Sequence, residues 1–268
     1  MHFPADTVGI ITVPRFSMPI KAVVFDLDDT LSDHRYSSMQ GVRALQQRYA
    51  PLAQYPLEQL AARHFALLNE WHLRILQGSE TVETARPKRY RAFLQDFGVR
   101  VTDSDIPRAI EHYHAAYLAH RRAVPGVVAV IDELRRRQVP LAVLTNHHSL
   151  TEQRGKLDEC GLSVLSEQLF VSADIGFTKP EPGAFVTVLD DLGCRPADAV
   201  MVGDSLHSDI EGALAAGMHA VWLNRDRTPR PEGLVAHVLE TFEPWRRSVE
   251  VIVHADRQPM KTAGQTKA

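Results

Sequence analysis

The chain has 268 residues, of which 44% are apolar and 24% are charged, and its formal net charge is −3. This composition is typical of a globular protein with a sizeable core, and so small a net charge disfavours nucleic acid or a membrane surface as a partner. The sequence has neither the apolar run of a membrane span nor that of a signal peptide. Two cysteines, Cys160 and Cys194, are too few for a disulfide framework, which predicts a cytoplasmic protein.

Residues 1–19 precede the first clear structural signal and are predicted to be an N-terminal extension. The first strand is predicted over 21–27, where the β-rich run KAVVFDL ends in acidic residues. The next block, 32–124, has no good strand and instead shows three apolar stripes at helical spacing, near 57–75, 90–97 and 106–117. Gly98 is predicted to end the second of these helices. The block is therefore expected to be a helical insertion.

Strands and helices alternate after residue 125. Strands are predicted at 139–146, 168–173, 197–204, 219–224 and 234–239, and helices at 126–138, 149–160, 181–192 and 207–216. Nearly continuous apolar strands that alternate with helices predict an α/β fold, a doubly wound parallel sheet covered on both faces.

Polar side chains follow three of these strands at their carboxyl ends. They are Asp26 and Asp28 after the first strand, Thr145 and Asn146 at the end of 139–146, and Asp204 with the later Asp209 after 197–204; Lys179 stands at the start of another helix. Ligands bind outside the carboxyl ends of strands in an open parallel sheet, so these residues are predicted to converge on one crevice.

Clustered carboxylates stay ionised only when a cation lies among them, and Mg²⁺ prefers such oxygen ligands. We predict Mg²⁺ bound by the carboxylates of Asp26 and Asp204 and by the backbone carbonyl of Asp28. Asp26 is the predicted nucleophile, which forms an aspartyl-phosphate. Asp28 lies two residues along the extended chain, points the same way, and is the predicted general acid and base.

Three further residues are predicted to bind the phosphoryl group. Thr145 and the backbone near Asn146 are expected to hold its oxygens, and Lys179 is expected to add a fixed positive charge in the transition state.

Four segments, VVFDLDDTL, LTN, TKPEPGAF and GDSLHSDIEGALAAG, resemble the four motifs of the haloacid dehalogenase-like (HAD) hydrolase superfamily, and the resemblance covers roughly residues 20–240. It implies a Rossmann-like catalytic core over 20–31 and 125–245 and a class I helical cap over 32–124. Residues 246–268 are predicted from their composition to be a C-terminal tail. It assigns the same roles to Asp26, Asp28, Thr145, Lys179 and Asp204. Asp209 would orient metal-bound water or Lys179.

Several activities occur in this superfamily. Dehalogenating members resemble D-x-Y-G-T in the first motif because no leaving alcohol needs a proton, so Asp28 favours a phosphatase. Phosphonate-cleaving members depend on a cap lysine, and Lys88, the single lysine in 32–124, lies in what reads as a basic surface turn. A phosphomutase and a non-enzymatic relative that binds a phospholigand or a partner protein remain open.

The expected substrate is a small phosphorylated metabolite, because a cap over the crevice excludes macromolecules. Nucleic acid and membrane are not expected partners, and the protein is expected to be a monomer or a homodimer.

Three features lie outside the motifs. His147 and His148 stand where many related phosphatases carry glycine; they are interpreted as loop residues at the entrance rather than a metal pair, since adjacent side chains seldom share a direction. The basic cluster of Arg86, Lys88, Arg89 and Arg91 is interpreted as a solvated helix start in preference to a substrate site. Arg35 and Tyr36 follow the first motif closely enough to reach substrate.

Overall fold

The computed structural model describes residues 20–76 and 78–257, and the predicted extension 1–19 and the end of the chain lie outside them. Six parallel strands form one sheet in the order β3-β2-β1-β4-β5-β6. The strands are β1 (Ala22–Phe25), β2 (Leu141–Thr145), β3 (Leu169–Val171), β4 (Ala199–Gly203), β5 (His219–Leu223) and β6 (His237–Leu239). The predicted α/β fold with a parallel sheet is confirmed.

The central strands are buried on both faces, as their unbroken apolar sequences predict. One face packs against α5 (Val127–Arg136), α6 (Leu150–Glu159) and α10 (Trp245–Val253). The other face packs against α8 (Pro182–Asp191) and α9 (Gly212–Ala215), and the short α7 (Ser172–Ile175) follows β3 directly. The sheet is therefore covered by two layers of helices, which leaves its carboxyl edge as the place for a site.

Four helices separate β1 from α5. They are α1 (His34–Arg48), α2 (Leu57–Leu76), α3 (Val82–Asp96) and α4 (Asp105–Ala119), with a 3₁₀ turn over Ala50–Gln54. Their apolar side chains form a cluster that shares no residue with the clusters around the sheet. Gly98 has a positive φ of 76°, and the Val99 N–H donates to the Leu94 carbonyl at 2.9 Å, so the predicted end of α3 holds.

Helix α1 was not among the predicted helical stripes. It packs against α4, and a Cβ on Gly41 would lie only 2.6 Å from the ring of Tyr113, so this close approach of the two helices requires glycine. Small and polar residues, including Ser37 and Ser38, occupy its buried face. The helix lacks a strong apolar stripe for that reason, which hides it from pattern analysis.

Two short chain segments join the helices to the sheet, and they pair with each other. Ser32 and Ala123 form an antiparallel bridge, and the Asp33 N–H donates to the Arg122 carbonyl at 2.9 Å. The buried Asp33 carboxylate also accepts from the guanidinium of Arg122 at 2.7 Å and from that of Arg225 at 2.8 Å. The entry and exit of the helical insertion are thus tied at one point.

The structure differs from the tail predicted for residues 246–268. Trp245–Val253 form α10, in which Val249 and Ile252 are fully buried in the core beside α5. These two side chains lie three residues apart, so they share one face of the helix and bury apolar area against the sheet layer. No helix in the described ranges combines the length and apolarity that crossing a membrane requires.

Candidate active site

The carboxyl edge of the sheet and the facing helices α2–α4 enclose a cavity of about 900 Å³. Every residue predicted for the site lines it: Asp26, Asp28, Thr145, Asn146, Lys179, Asp204 and Asp209. Parallel register explains this convergence, because β1, β2 and β4 are neighbours and end at the same edge.

A buried lysine links two of the aspartates. The Lys179 ammonium is 2.7 Å from Asp26 Oδ1 and 2.7 Å from Asp209 Oδ1, and it donates to the Leu144 carbonyl at 2.8 Å. Burial disfavours its charge, but the two carboxylates outweigh burial and raise the pKa of Lys179. The side chain is therefore a fixed cation in contact with the predicted nucleophile.

The site holds more negative than positive charge. Burial raises the pKa of Asp26 to about 7, against the attraction of Lys179, and burial with the charges of Asp26 and Asp209 raises the pKa of Asp204 well above its usual value. One carboxylate oxygen from each of these three aspartates lies within 4.8 Å of the others. Arg35 is 3.4 Å from Asp204. An all-oxygen donor set with excess negative charge fits Mg²⁺.

Asp28 has a partner that the motifs did not indicate. Lys156 Nζ is 2.7 Å from both carboxylate oxygens of Asp28, and His34 Nδ1 is 3.9 Å from one of them. Burial alone would raise the pKa of Asp28, but the Lys156 ammonium outweighs burial and holds this pKa below its usual range. This contact stabilises the ionised form of the predicted acid–base residue.

The predicted phosphate binders differ in what they contact. Thr145 Oγ1 accepts from Gln153 Nε2 at 2.9 Å, which leaves the hydroxyl proton free to donate. The Asn146 side chain is engaged with the backbone of Lys179, accepting from its N–H and donating to its carbonyl, both at 2.8 Å. The Asn146 amide therefore positions Lys179, and any contact with phosphate falls to its backbone.

Lys156 and Gln153 were missed because neither belongs to a recognised motif. Both are buried on α6, where Gln153, Lys156 and Leu157 occupy the face toward the sheet. The signal was present in the sequence: polar side chains at positions i and i+3 on the face that an apolar Leu marks as inward. A buried lysine needs an anionic partner, and Asp28 is that partner.

The two histidines lie on the cavity wall, as interpreted, but their orientation differs from expectation. The rings of His147 and His148 stack at 4.2 Å instead of diverging. Their Nε2 atoms lie 3.6 Å and 4.0 Å from Glu152 Oε2. His147 Nδ1 contacts the backbone of Ser149.

Arg35 and Tyr36, which follow the first motif, have different surroundings. Arg35 lines the cavity and contacts Asp29, Asp204 and Asp226. The Tyr36 ring instead packs beneath the Arg122 guanidinium, whose Cζ lies 3.4 Å from the ring centre, at the paired linkers.

The four residues of the basic cluster lie in two different surroundings. Arg86 and Arg89 line the cavity, whereas Lys88 pairs with Glu80 and Arg91 pairs with Asp103. The interpretation as a solvated helix start is therefore wrong for Arg86 and Arg89 and fits the other two.

The fold is a parallel α/β sheet with an inserted helical segment, and clustered aspartates lie at the carboxyl edge of the sheet. These features agree with the class of protein that the sequence motifs indicate. The family model for haloacid dehalogenase-like hydrolases matches residues 20–217. The chain belongs to the haloacid dehalogenase-like hydrolases.

Two relatives and one solved structure refine this placement. The chain is 29% identical to the N-acylneuraminate-9-phosphatase of Rattus norvegicus over 235 residues, covering 82% of this chain and 92% of that protein. It is 33% identical to the phosphoserine phosphatase of Thermus thermophilus over 235 residues, covering 80% and 91%. The magnesium-bound HAD-hydrolase YfnB of Bacillus subtilis shares the fold, with a TM-score of 0.65, 23% identity, and coverage of 87% of this chain and 99% of that one. Within its family, the chain is a phosphoric monoester hydrolase.

Proposed function

We propose that this protein is a Mg²⁺-dependent hydrolase of a small phosphate monoester, with Asp26 as the nucleophile. The observation that carries the proposal is the contact of the Asp26 carboxylate with the buried Lys179 ammonium at 2.7 Å, beside Asp204 and Asp209. A carboxylate beside a fixed cation at the edge of the sheet supports a nucleophile that meets a bound phosphate group.

Asp26 and Asp204 would hold Mg²⁺ together with the backbone carbonyl of Asp28. When bound, the ion screens the charge between an anionic nucleophile and the phosphate. Lys179, Thr145 and the backbone of Asn146 would hold the phosphoryl oxygens. Asp209 keeps Lys179 charged and oriented through their 2.7 Å contact.

The reaction has two halves. In the first, an Asp26 carboxylate oxygen bonds to phosphorus, the phosphorus–ester oxygen bond breaks, and Asp28 gives its proton to the leaving alcohol. Lys156 stabilises the ionised Asp28 that this transfer leaves behind. Because the same contact keeps Asp28 mostly ionised beforehand, the first half draws on the small protonated fraction of Asp28. In the second, Asp28 takes a proton from water, the water oxygen bonds to phosphorus, and inorganic phosphate leaves Asp26.

The insertion 32–124 would act as a cap over this site. Side chains from α2, α3 and α4 line the same cavity as the catalytic aspartates, which supports a substrate small enough to be enclosed. The two relatives are named for N-acylneuraminate 9-phosphate and phosphoserine, both small metabolites. Both described cysteines are free, which is consistent with the cytoplasm as the compartment.

A phosphate-release assay over a panel of phosphorylated metabolites tests the proposal. Activity should require Mg²⁺, disappear with a chelator, and disappear in Asp26→Asn, which keeps the size of the side chain. Equal hydrolysis by the wild type and Asp26→Asn would refute the mechanism. Inactivity of the folded wild type on every member would refute the function.

A further inference from the structure

Helix α3 carries four basic side chains, and two of them, Lys88 and Arg91, are neutralised by neighbouring acidic residues. Lys88 Nζ lies 2.7 Å from Glu80 Oε1 and 5.8 Å from the centre of the Trp71 ring. Arg91 pairs with Asp103. These two cations are accounted for by surface ion pairs, which contribute little to stability.

The other two, Arg86 and Arg89, lie three residues apart on α3 and line the catalytic cavity. Among residues 20–76 and 78–257, neither forms an ion pair with a carboxylate. The Nε atom of Arg89 is buried without a hydrogen-bond partner in that part of the chain. Both guanidinium groups therefore line the cavity without a carboxylate at ion-pair distance in the described part of the chain.

Both arginines are half-buried in the wall of the cavity. The guanidinium carbon of Arg89 lies 5.2 Å from the centre of the Tyr90 ring, which also lines the cavity. A substrate held at Asp26 would extend along this wall.

Within residues 20–76 and 78–257, no carboxylate that lines the cavity lies at ion-pair distance from either arginine. Glu152 lines the cavity, but its carboxylate lies near His147 and His148, at 3.6 Å and 4.0 Å. An anion that enters the cavity would therefore find the guanidinium groups of Arg86 and Arg89 available. Guanidinium groups match carboxylate and phosphate oxygens through paired hydrogen bonds.

We propose that Arg89, assisted by Arg86, forms a second anion-binding subsite, so that the substrate is a phosphate monoester carrying a second anionic group, either a carboxylate or another phosphate. This inference rests on the proposed function and adds the chemical class of the substrate. Arg89 is a specificity-determining residue in this proposal and takes no part in bond breaking.

Matched substrate pairs test the subsite. O-phosphoserine is compared with O-phosphoethanolamine, which lacks the carboxylate, and fructose 1,6-bisphosphate with fructose 6-phosphate, which lacks the second phosphate. We expect kcat/KM to favour the member with the additional anion in at least one pair, and the pair that responds identifies the anion. Arg89→Met should lower kcat/KM for that member by about ten- to a hundredfold, the usual value of a hydrogen bond to a charged group, and change its partner less than about twofold.

Lys88→Met is the matched control, because it removes a cation from the same helix outside the cavity. It should leave both members of a pair unchanged. Arg89→Lys keeps the charge without the paired geometry and should fall between the wild type and Arg89→Met. Thermal unfolding of each variant shows whether it remains folded.

Binding separates this inference from the proposed function. Asp26→Asn is titrated calorimetrically with both members of each pair, alone and combined with Arg89→Met. Hydrolysis or binding that ignores the second anion, or a preference that survives Arg89→Met and Arg86→Met in folded protein, overturns the subsite and leaves the phosphatase intact. If no substrate is hydrolysed but Arg89 makes binding prefer the member with the second anion, the result supports the subsite and refutes the proposed phosphatase function.

Discussion

The Lys156 ammonium lies 2.7 Å from both carboxylate oxygens of Asp28, and both residues line the cavity. This ion pair sets the charge of the residue that we assign to proton transfer. It connects α6, which lies outside the family motifs, to the chemistry at the end of β1.

Replacement of Lys156 by Met should move the pH dependence of the reaction. Burial raises the pKa of Asp28 and Lys156 lowers it, so removing the ammonium raises this pKa. The second half of the reaction needs ionised Asp28, and the loss of kcat on acidification should therefore begin at higher pH in the variant. A kcat–pH profile measures the shift; an unchanged acidic limb in folded protein would show that Lys156 does not act on Asp28.

The carboxylate of Asp26 should make the metal-free protein less stable as pH rises. Its pKa is raised from 3.8 to about 7 by burial, so the folded state holds a proton that the unfolded state has lost between these values. Stability from this group is fully present below about pH 4 and is lost as pH rises through about 7. The Asp26→Asn variant has no ionisable carboxyl at this position. In chelator, its Tm should therefore rise relative to that of the wild type by several degrees between pH 5 and 8.

The same scan with Mg²⁺ supplies the control. The ion binds ionised Asp26, so it should stabilise the wild type increasingly as pH rises and leave Asp26→Asn nearly unchanged. Parallel Tm–pH curves for the two proteins in chelator would contradict the raised pKa.

Removal of Asp209 should be costly. Its carboxylate is 1% exposed and pairs with Lys179, which is 4% exposed. Breaking one partner of a buried ion pair leaves an uncompensated charge, at about 3–5 kcal/mol. Asp209→Ala should lose about that much free energy of unfolding by urea titration, and it should lose activity because Lys179 is no longer held.

The surface pair Glu70–Arg74 on α2 provides the comparison. Its side chains are about half exposed, so Glu70→Gln should cost only about 0.3–0.5 kcal/mol. Similar costs for the two variants would mean that the Lys179 contact contributes no more than a surface pair.

Gly203 should not tolerate a side chain. A Cβ at this position would overlap the Asp209 side chain, with Asp209 Cγ only 2.5 Å away. Gly203→Ala should therefore displace Asp209 from Lys179 and lower both stability, by about 1–3 kcal/mol, and phosphate release. Gly155→Ala is the control, because its Cβ would meet no atom within 4 Å, and alanine there should be neutral or stabilising.

The sheet, the order of its helices and the convergence of the motif residues could be predicted from the sequence. Apolar strands and residues at strand ends carry strong local signals, so Asp26, Lys179 and Asp204 were found together. Lys156 was missed because its partner is 128 positions away and no local pattern records the contact. The division of the α3 cluster could not be predicted either, since which face of α3 meets the cavity depends on packing against α2 and α4.

Helix α10 is another element that the sequence alone did not predict. Its apolar residues are few, and their burial depends on the β-sheet layer and α5 that they cover. A short amphipathic helix at the end of a chain has little intrinsic stability and forms through that packing. The sequence alone therefore favoured a tail.

Because its two linkers pair with each other, the helical insertion can be exchanged as a unit. The Val124 N–H donates to the Leu31 carbonyl at 2.8 Å, so the chain returns to the sheet at the place where it left. Because the apolar cluster of α1–α4 shares no side chain with the clusters around the sheet, the helices can diverge or be replaced without repacking the core. Grafting other helices between Arg35 and Arg122, with both of these residues retained, would change which ester is admitted while the bond-breaking residues stay where they are.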